Sequence, residues 1–273
     1  LTIGTIPLTL GGGGGALIRS NATFTGCIIR NNTARRFGGG VFMSQGSRPV
    51  FTRCDIVSNA SGTGGAGVGN TGAGGGIHSL DSSPSILGSR VNGNSSKFAA
   101  GGIFHMGAFD SPFGTARLYV EDSEVNDNIS TQFSPAENPS EGGGFHVEDN
   151  AVATLIRVGV LRNRANTGGG LNAYRSRYDV FESVIDSNQA TNGFGGGIAA
   201  TSNNPAPSPI RPASVVNLTQ TLLRNNTATT AGGGIAATGD NYCGGSTPTP
   251  SCTSVKASVS LTNSVLDSNQ SPS

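Results

Sequence analysis

One pattern recurs eight times along this chain and decides most of what the chain can fold into. Each unit opens on a glycine cluster followed by an apolar residue, the clusters starting at Gly13, Gly38, Gly74, Gly101, Gly142, Gly168, Gly195 and Gly232. Further along come an apolar residue, a small residue three positions later, a second apolar residue two beyond that, and an asparagine five beyond the small one. The plainest units are 25 to 27 residues long, and the longer ones carry insertions. A period in this range is the signature of a solenoid, whose units cannot bury their apolar faces alone and must stack on their neighbours.

The first apolar column reads Phe24, Phe51, Ile86, Val120, Leu155, Val180, Leu218 and Leu261; the second reads Ile29, Ile56, Val91, Val125, Val160, Ile185, Leu223 and Leu266. Both are predicted to face one interior. Between them runs a small column of Cys27, Cys54, Ser89, Ser123, Val158, Ser183, Thr221 and Ser264. In a flat strand its odd spacing would turn these side chains to the opposite face, so a bend is expected at the two intervening residues, such as Thr25-Gly26 or Glu121-Asp122. The pattern predicts an all-β parallel β-helix of about eight coils, with three short strands and three corners per coil. Four buried apolar side chains give one coil about 6 to 12 kcal/mol, against about 25 to 50 kcal/mol of backbone entropy, so no coil stands without neighbours. Stacked at the spacing of paired strands, the coils make a rod about 38 Å long.

Within this frame the glycines belong at a corner that needs positive φ or brings two backbones too close for a Cβ. The asparagines Asn32, Asn59, Asn94, Asn128, Asn163, Asn188, Asn226 and Asn269 form a column whose amides are expected to tolerate a left-handed corner and to bond up and down the rod. A column repeated in every coil speaks for architecture, since catalysis needs one site.

The chain reads as a single β-helix domain over 1–273: an N-terminal strand or partial coil at 1–12, eight coils over 13–269 and a tail at 270–273. Its start at Leu1 and stop at Ser273 lead us to expect part of a longer or processed protein. Net charge is +1 and the seventeen basic residues read as scattered, so nucleic acid is not an expected partner. No apolar run approaches the roughly 20 residues of a membrane span.

Glycine triplets followed by Ile, Val, Leu or Phe, with a later apolar-x-x-Asn, resemble the GGAI and FxxN repeats of the polymorphic outer membrane proteins, over residues 11–269. That resemblance implies a right-handed β-helix, an extracellular or cell-surface location and an adhesive or structural role.

Cys243 and Cys252 bracket "GGSTPTPS" inside a long insertion, and a disulfide is expected there. Cys27 and Cys54 share the small column in adjacent coils, which leaves a bridge between them open. Of the Asn-x-Ser/Thr sites, Asn21, Asn31, Asn217 and Asn225 are the candidate glycan acceptors, because the others coincide with the asparagine column.

All three histidines follow a glycine cluster, in "GGGIH", "GGIFH" and "GGGFH", and His78, His105 and His146 are expected to form one outward column on a solvent face. Stacked imidazoles at that spacing are a candidate divalent-metal site, with Glu148 or Asp149 as a further ligand; no other cofactor is expected. Insertions at 60–73 and 129–141, and at 106–116, 201–214 and 238–257, flank the glycine strand on both sides and wall this face as a binding groove. The leading expectation is a structural or adhesive surface protein, with carbohydrate or matrix components as partners, or with copies adding head to tail through open ends into filaments. The alternative is a polysaccharide lyase or hydrolase using Asp110, Glu137, Glu141, Glu148 or Asp149. It is the weaker reading, because no paired aspartates and no tryptophan platform accompany them.

Overall fold

The computed structural model describes residues 13–63, 72–131, 140–202, 212–244 and 251–272, with backbone alone at 240–244 and 251–255. It is all-β, and its strands stack in parallel so that like positions of successive coils are register partners. The first apolar column runs unbroken, Phe24 against Phe51, Ile86, Val120, Leu155, Val180, Leu218 and Leu261 in an eight-stranded sheet. Strands that open on the residue after the glycines build a nine-stranded sheet, the glycine sheet. Its last two strands, Ile235–Gly244 and Ser251–Lys256, form an antiparallel hairpin in which Cys243 stands opposite Cys252. Their side chains lie outside the described residues, as do Glu137, residues 1–12 and Ser273.

Each coil has four strand positions where three were expected. The extra one is the two-residue strand after the asparagine, such as Ala60–Ser61 and Ser95–Ser96, and these stack into a seven-stranded sheet. Two residues are too few to display an alternation, so periodicity had nothing to register. The strands carrying the second apolar column stack in two pieces, three and four strands long, linked through coil four by the bridges Arg90↔Glu124 and Glu124↔Gly159.

The predicted bend is a left-handed residue just before the small column, for example Gly26 at φ 60°, Asp122 at 49° and Glu182 at 49°. A second left-handed residue precedes the ladder asparagine: Asn31 at φ 57°, Asp127 at 58°, Arg162 at 56°. The ladder asparagines themselves are not left-handed, so that expectation is corrected: their neighbours turn the corner and the asparagines fill it. Each amide from Asn59 to Asn226 is saturated. Asn128, for instance, accepts at Oδ1 from Asn94 N at 2.9 Å and Asn94 Nδ2 at 3.1 Å, and donates from Nδ2 to Val91 O at 2.8 Å and Asn163 Oδ1 at 3.0 Å.

Gly142-Gly143-Gly144 shows why glycine and asparagine recur together. Gly142 needs its φ of 63°. A Cβ on Gly143 would lie 2.3 Å from Gly169 O and 2.5 Å from Arg164 N, in the strand that follows the asparagine. On Gly144 it would lie 3.0 Å from Asn163 Nδ2. The third glycine vacates the space the ladder amide occupies.

The interior is filled by large side chains without solvent contact, among them Phe51, Phe145, Met43 and Tyr178. In the small column Ser89 and Ser123 turn their hydroxyls back to carbonyls while accepting from the backbone N–H of the preceding coil. Outside, Arg90–Asp55, Arg157–Asp122, Arg162–Asp127 and Arg224–Asp186 pair exposed side chains of neighbouring coils.

Candidate functional site

The outward face of the glycine sheet differs from the others. Alternation along strands such as Ile103–Met106 sends the first and third side chains inward and the second and fourth outward. Coil four carries alanine where other coils have their first glycine: Ala100 is left-handed at φ 51°, and Ile103 pairs with Ile77. The outward column therefore reads Phe42, His78, Phe104, His146, Asn172. His105 falls one position later, opposite Ser79 and Val147, in an inward column.

The expected line of three imidazoles is thus corrected. Phe104 separates His78 from His146, its ring centroid 4.7 Å from one and 5.1 Å from the other, and His105 lies on the opposite side of the strand. The donors that a shared metal would need stand apart, and Glu148 does not complete a set: among the described residues no group of three His, Cys, Asp or Glu side chains is disposed around a metal. The expected solvent face is corrected as well. His78, His105 and His146 are 4%, 0% and 1% exposed. His105 is buried in the interior; on the outer side Phe37, across the glycines, packs on His78 at 4.8 Å, and Phe104, part of a small cluster with Ala73, Ala99 and Ala100, stacks on both His78 and His146.

The three histidines do different things. Burial lowers the pKa of His78 to about 4, and its Nδ1 has no partner. Burial likewise lowers His105 to about 4; its Nδ1 is 3.1 Å from Ser79 Oγ, and its Nε2 is unpartnered. His146 is held between acids. Burial opposes its charge, but the hydrogen bond from Nε2 to Glu148 at 2.9 Å and the nearby charges of Glu148, Glu141 and Asp149 outweigh it and raise its pKa. Glu141 Oε2 sits 3.4 Å from Nδ1 and also accepts from Asn172 Nδ2 at 3.0 Å. The two carboxyls move in opposite directions. Burial raises Glu141, whereas in Glu148 the bond to His146 and the charges of His146 and Arg175 overcome burial and lower it.

Of the other expected carboxylates, Asp149 pairs with Arg175 at 2.6 Å, and Asp110 is exposed on the loop after Met106. Asn21, Asn31 and Asn225 are exposed; Asn217 is half-buried and bonds Asp179. Asn59, Asn94 and Asn128 are buried in the ladder. Cys27 and Cys54 are free thiols.

Two clefts open on this face. One, of about 430 Å³, lies over the first coils and is lined by Arg19, Arg36, Phe37, Phe42, Asp81 and Phe113 among others. Its Phe113 is 51% exposed and comes from the coil-four insertion, which reaches back to lay the ring on Gly46. Arg36 lies over the Phe37 ring at 5.1 Å, and Arg36 Nε and Asp81 Oδ1 are both buried without a hydrogen-bond partner. The other cleft, of about 330 Å³, is lined by Glu141, Tyr174, Phe194 and Thr201 among others. Sequence reasoning located the face but not the aromatic stack. The available signal was "AAGGIFH", where a leading alanine in place of glycine shifts the register by one.

The fold and this face together define a parallel β-helix with an aromatic-lined surface, over which the described insertion at 106–116 lays Phe113. No family model, no curated protein and no solved structure matches the chain.

Proposed function

We propose that the chain is an extracellular structural or adhesive element, a stiff rod that offers the outward face of its glycine sheet to a cell-surface or matrix partner, with carbohydrate the favoured class. One observation carries this reading: unsatisfied polar groups and open aromatic surface gather on that face, in the cleft of Phe37, Phe42 and Phe113 with Arg36 and Asp81. Open aromatic walls with a few charged groups set among them are what a bound partner covers. The likeness of the repeats to those of the polymorphic outer membrane proteins supports the surface location. The last described coil exposes Leu261, Val265 and Leu266, which a further coil, of the same chain or of a second copy, would cover; repeated addition of copies would give a filament.

The test is retention of the chain on a panel of immobilised glycans and matrix polymers, with sedimentation velocity to follow self-association. Retention that falls with Phe113→Ala supports the reading; retention on no surface removes it. A polysaccharide-active enzyme is the second reading, favoured by His146 between two carboxyls whose proton affinities diverge. Release of reducing or unsaturated ends from a polysaccharide, abolished by Glu148→Gln, would establish it in place of the first.

A further inference from the structure

We infer that the occupant of the Phe37–Phe113 cleft is an acidic sugar unit of a glycan, bearing a carboxylate or a sulfate ester; the inference rests on the adhesive reading of this face. Three features of the cleft converge on that chemistry.

The first is charge. Although the whole chain carries +1, residues 13–99, the three coils that line the cleft, hold Arg19, Arg30, Arg35, Arg36, Arg48, Arg53, Arg90 and Lys97 against two acids, Asp55 and Asp81. Asp55 is already paired with Arg90. The coils that carry the cleft are therefore basic, and the acids that balance them lie further along the rod. Such a separation attracts an anion to one end, and its pull weakens as salt rises.

The second is the cleft's own polar groups. Arg19 and Arg36 line it, and among the described residues neither makes an ion pair, whereas Arg90, Arg157, Arg162, Arg175, Arg177 and Arg224 all do. Guanidinium groups not engaged in an ion pair, in a concave site, suit a planar or tetrahedral oxyanion. Asp81 supplies the complementary element. It lines the same space, and a carboxylate there accepts from a sugar hydroxyl.

The third is the apolar wall. Phe37, Phe42 and Phe113 present aromatic surface to the same space, onto which the C–H face of a pyranose packs. A bare phosphate or sulfate ion would leave that wall and Asp81 unused. A nucleic acid would use the arginines and the rings but bring a charge on every backbone unit towards the Asp81 carboxylate, where a sugar with a single anionic group can present hydroxyls. An acidic sugar uses every group.

The experiment is calorimetric titration of the full chain with oligogalacturonate, with a chondroitin sulfate oligosaccharide, with a neutral malto-oligosaccharide and with single-stranded DNA, at low and at raised sodium chloride. Binding is expected for one or both acidic sugars, weaker at higher salt and absent for the neutral sugar; the two acidic arms separate carboxylate from sulfate recognition. Arg36→Gln is expected to weaken it about 10-fold or more, the scale of one charge-assisted contact, and Phe113→Ala, which removes an exposed ring and leaves the core intact, to weaken it measurably. Arg30→Gln, which removes the same charge from another sheet of the first coil, is the control and is expected to change affinity by less than about 2-fold. Equal losses from Arg30→Gln and Arg36→Gln would reduce the effect to a diffuse field and overturn the site. Binding of the neutral sugar alone, or tighter binding of DNA, would overturn the acidic sugar, and in the first case would leave the adhesive reading standing. Failure of every glycan here and on the immobilised panel would remove both.

Discussion

Asn94 and Asn128 are direct vertical neighbours: the Asn94 side chain donates to Asn128 Oδ1 at 3.1 Å, and its backbone N–H donates to the same oxygen at 2.9 Å. Because each inner amide, from Asn59 to Asn226, uses both its donors and accepts twice, the ladder is a chain of satisfied groups in a corner closed to water. Removing a central rung strands a buried N–H and a buried carbonyl together. Asn128→Ala is expected to cost about 3 to 5 kcal/mol. Asn269→Ala, at a rung that is only partly buried, should cost about 1 kcal/mol. Urea unfolding of the two variants in parallel checks the order, and equal costs would deny the ladder its role.

The glycines separate two kinds of constraint. Gly88 is left-handed at φ 53°, yet a Cβ there would meet nothing nearer than Arg53 Cγ at 3.7 Å. Gly88→Ala is therefore expected to cost only the backbone preference, about 1 kcal/mol. Gly143→Ala drives a Cβ between backbone atoms of its own and the next coil, neither of which can withdraw without opening a ladder. It is expected to cost more than about 3 kcal/mol or to prevent folding. Thermal melting that ranks the two the other way would refute the packing account.

The asparagine ladder and both apolar columns were legible because each is a side-chain requirement repeated once per coil, so the sequence shows it as a column. The short strand after the asparagine was not, since Arg164–Ala165 or Gln189–Ala190 leaves no pattern in two residues. Coil four misled for another reason. Ala100 holds a left-handed position that glycine occupies elsewhere, so counting from Gly101 placed His105 one residue out of register, and in a strand one residue is the difference between outside and inside. The burial of His78 was illegible because part of its cover, Phe37 and Ala73, comes from across the glycine corner, where no local period links it to the strand.

Cys27 and Cys54 differ in reach although they occupy one column. Cys54 has no exposed surface; burial raises its thiol pKa, and its Sγ lies 3.4 Å from Phe24 O. Cys27 is half-buried on the first coil. Since the thiolate is the species that reacts, iodoacetamide is expected to label Cys27 in the folded chain and Cys54 only after denaturation. Peptide mass spectrometry before and after urea reads this directly, and equal labelling of the two in the folded chain would contradict the burial of Cys54.

His105 gives the fold a dependence on acid. It sits in the interior beside Ser79 Oγ and the Ala116 backbone, with the His78 ring on the outer side of the next strand, and burial holds its pKa at about 4 against an ordinary 6.5. The unfolded chain binds its proton first as pH falls, so the neutral form contributes stability that is complete above about pH 6.5, declines down to about pH 4 and is fully lost below that. The shift corresponds to about 3 kcal/mol, and His78 adds a similar amount over the same window. His146 works the other way: its raised pKa contributes stability that is present below pH 6.5 and lost as pH rises through the folded value, so the wild-type profile is a partial cancellation. The double variant His105→Leu with Ser79→Ala isolates one contribution, because it removes the imidazole together with the hydroxyl that faces its Nδ1. Its unfolding free energy at pH 7 is expected to match or exceed that of the wild type, and to fall less between pH 6.5 and 4. An unchanged slope over that interval would mean that His105 is protonated in the folded chain.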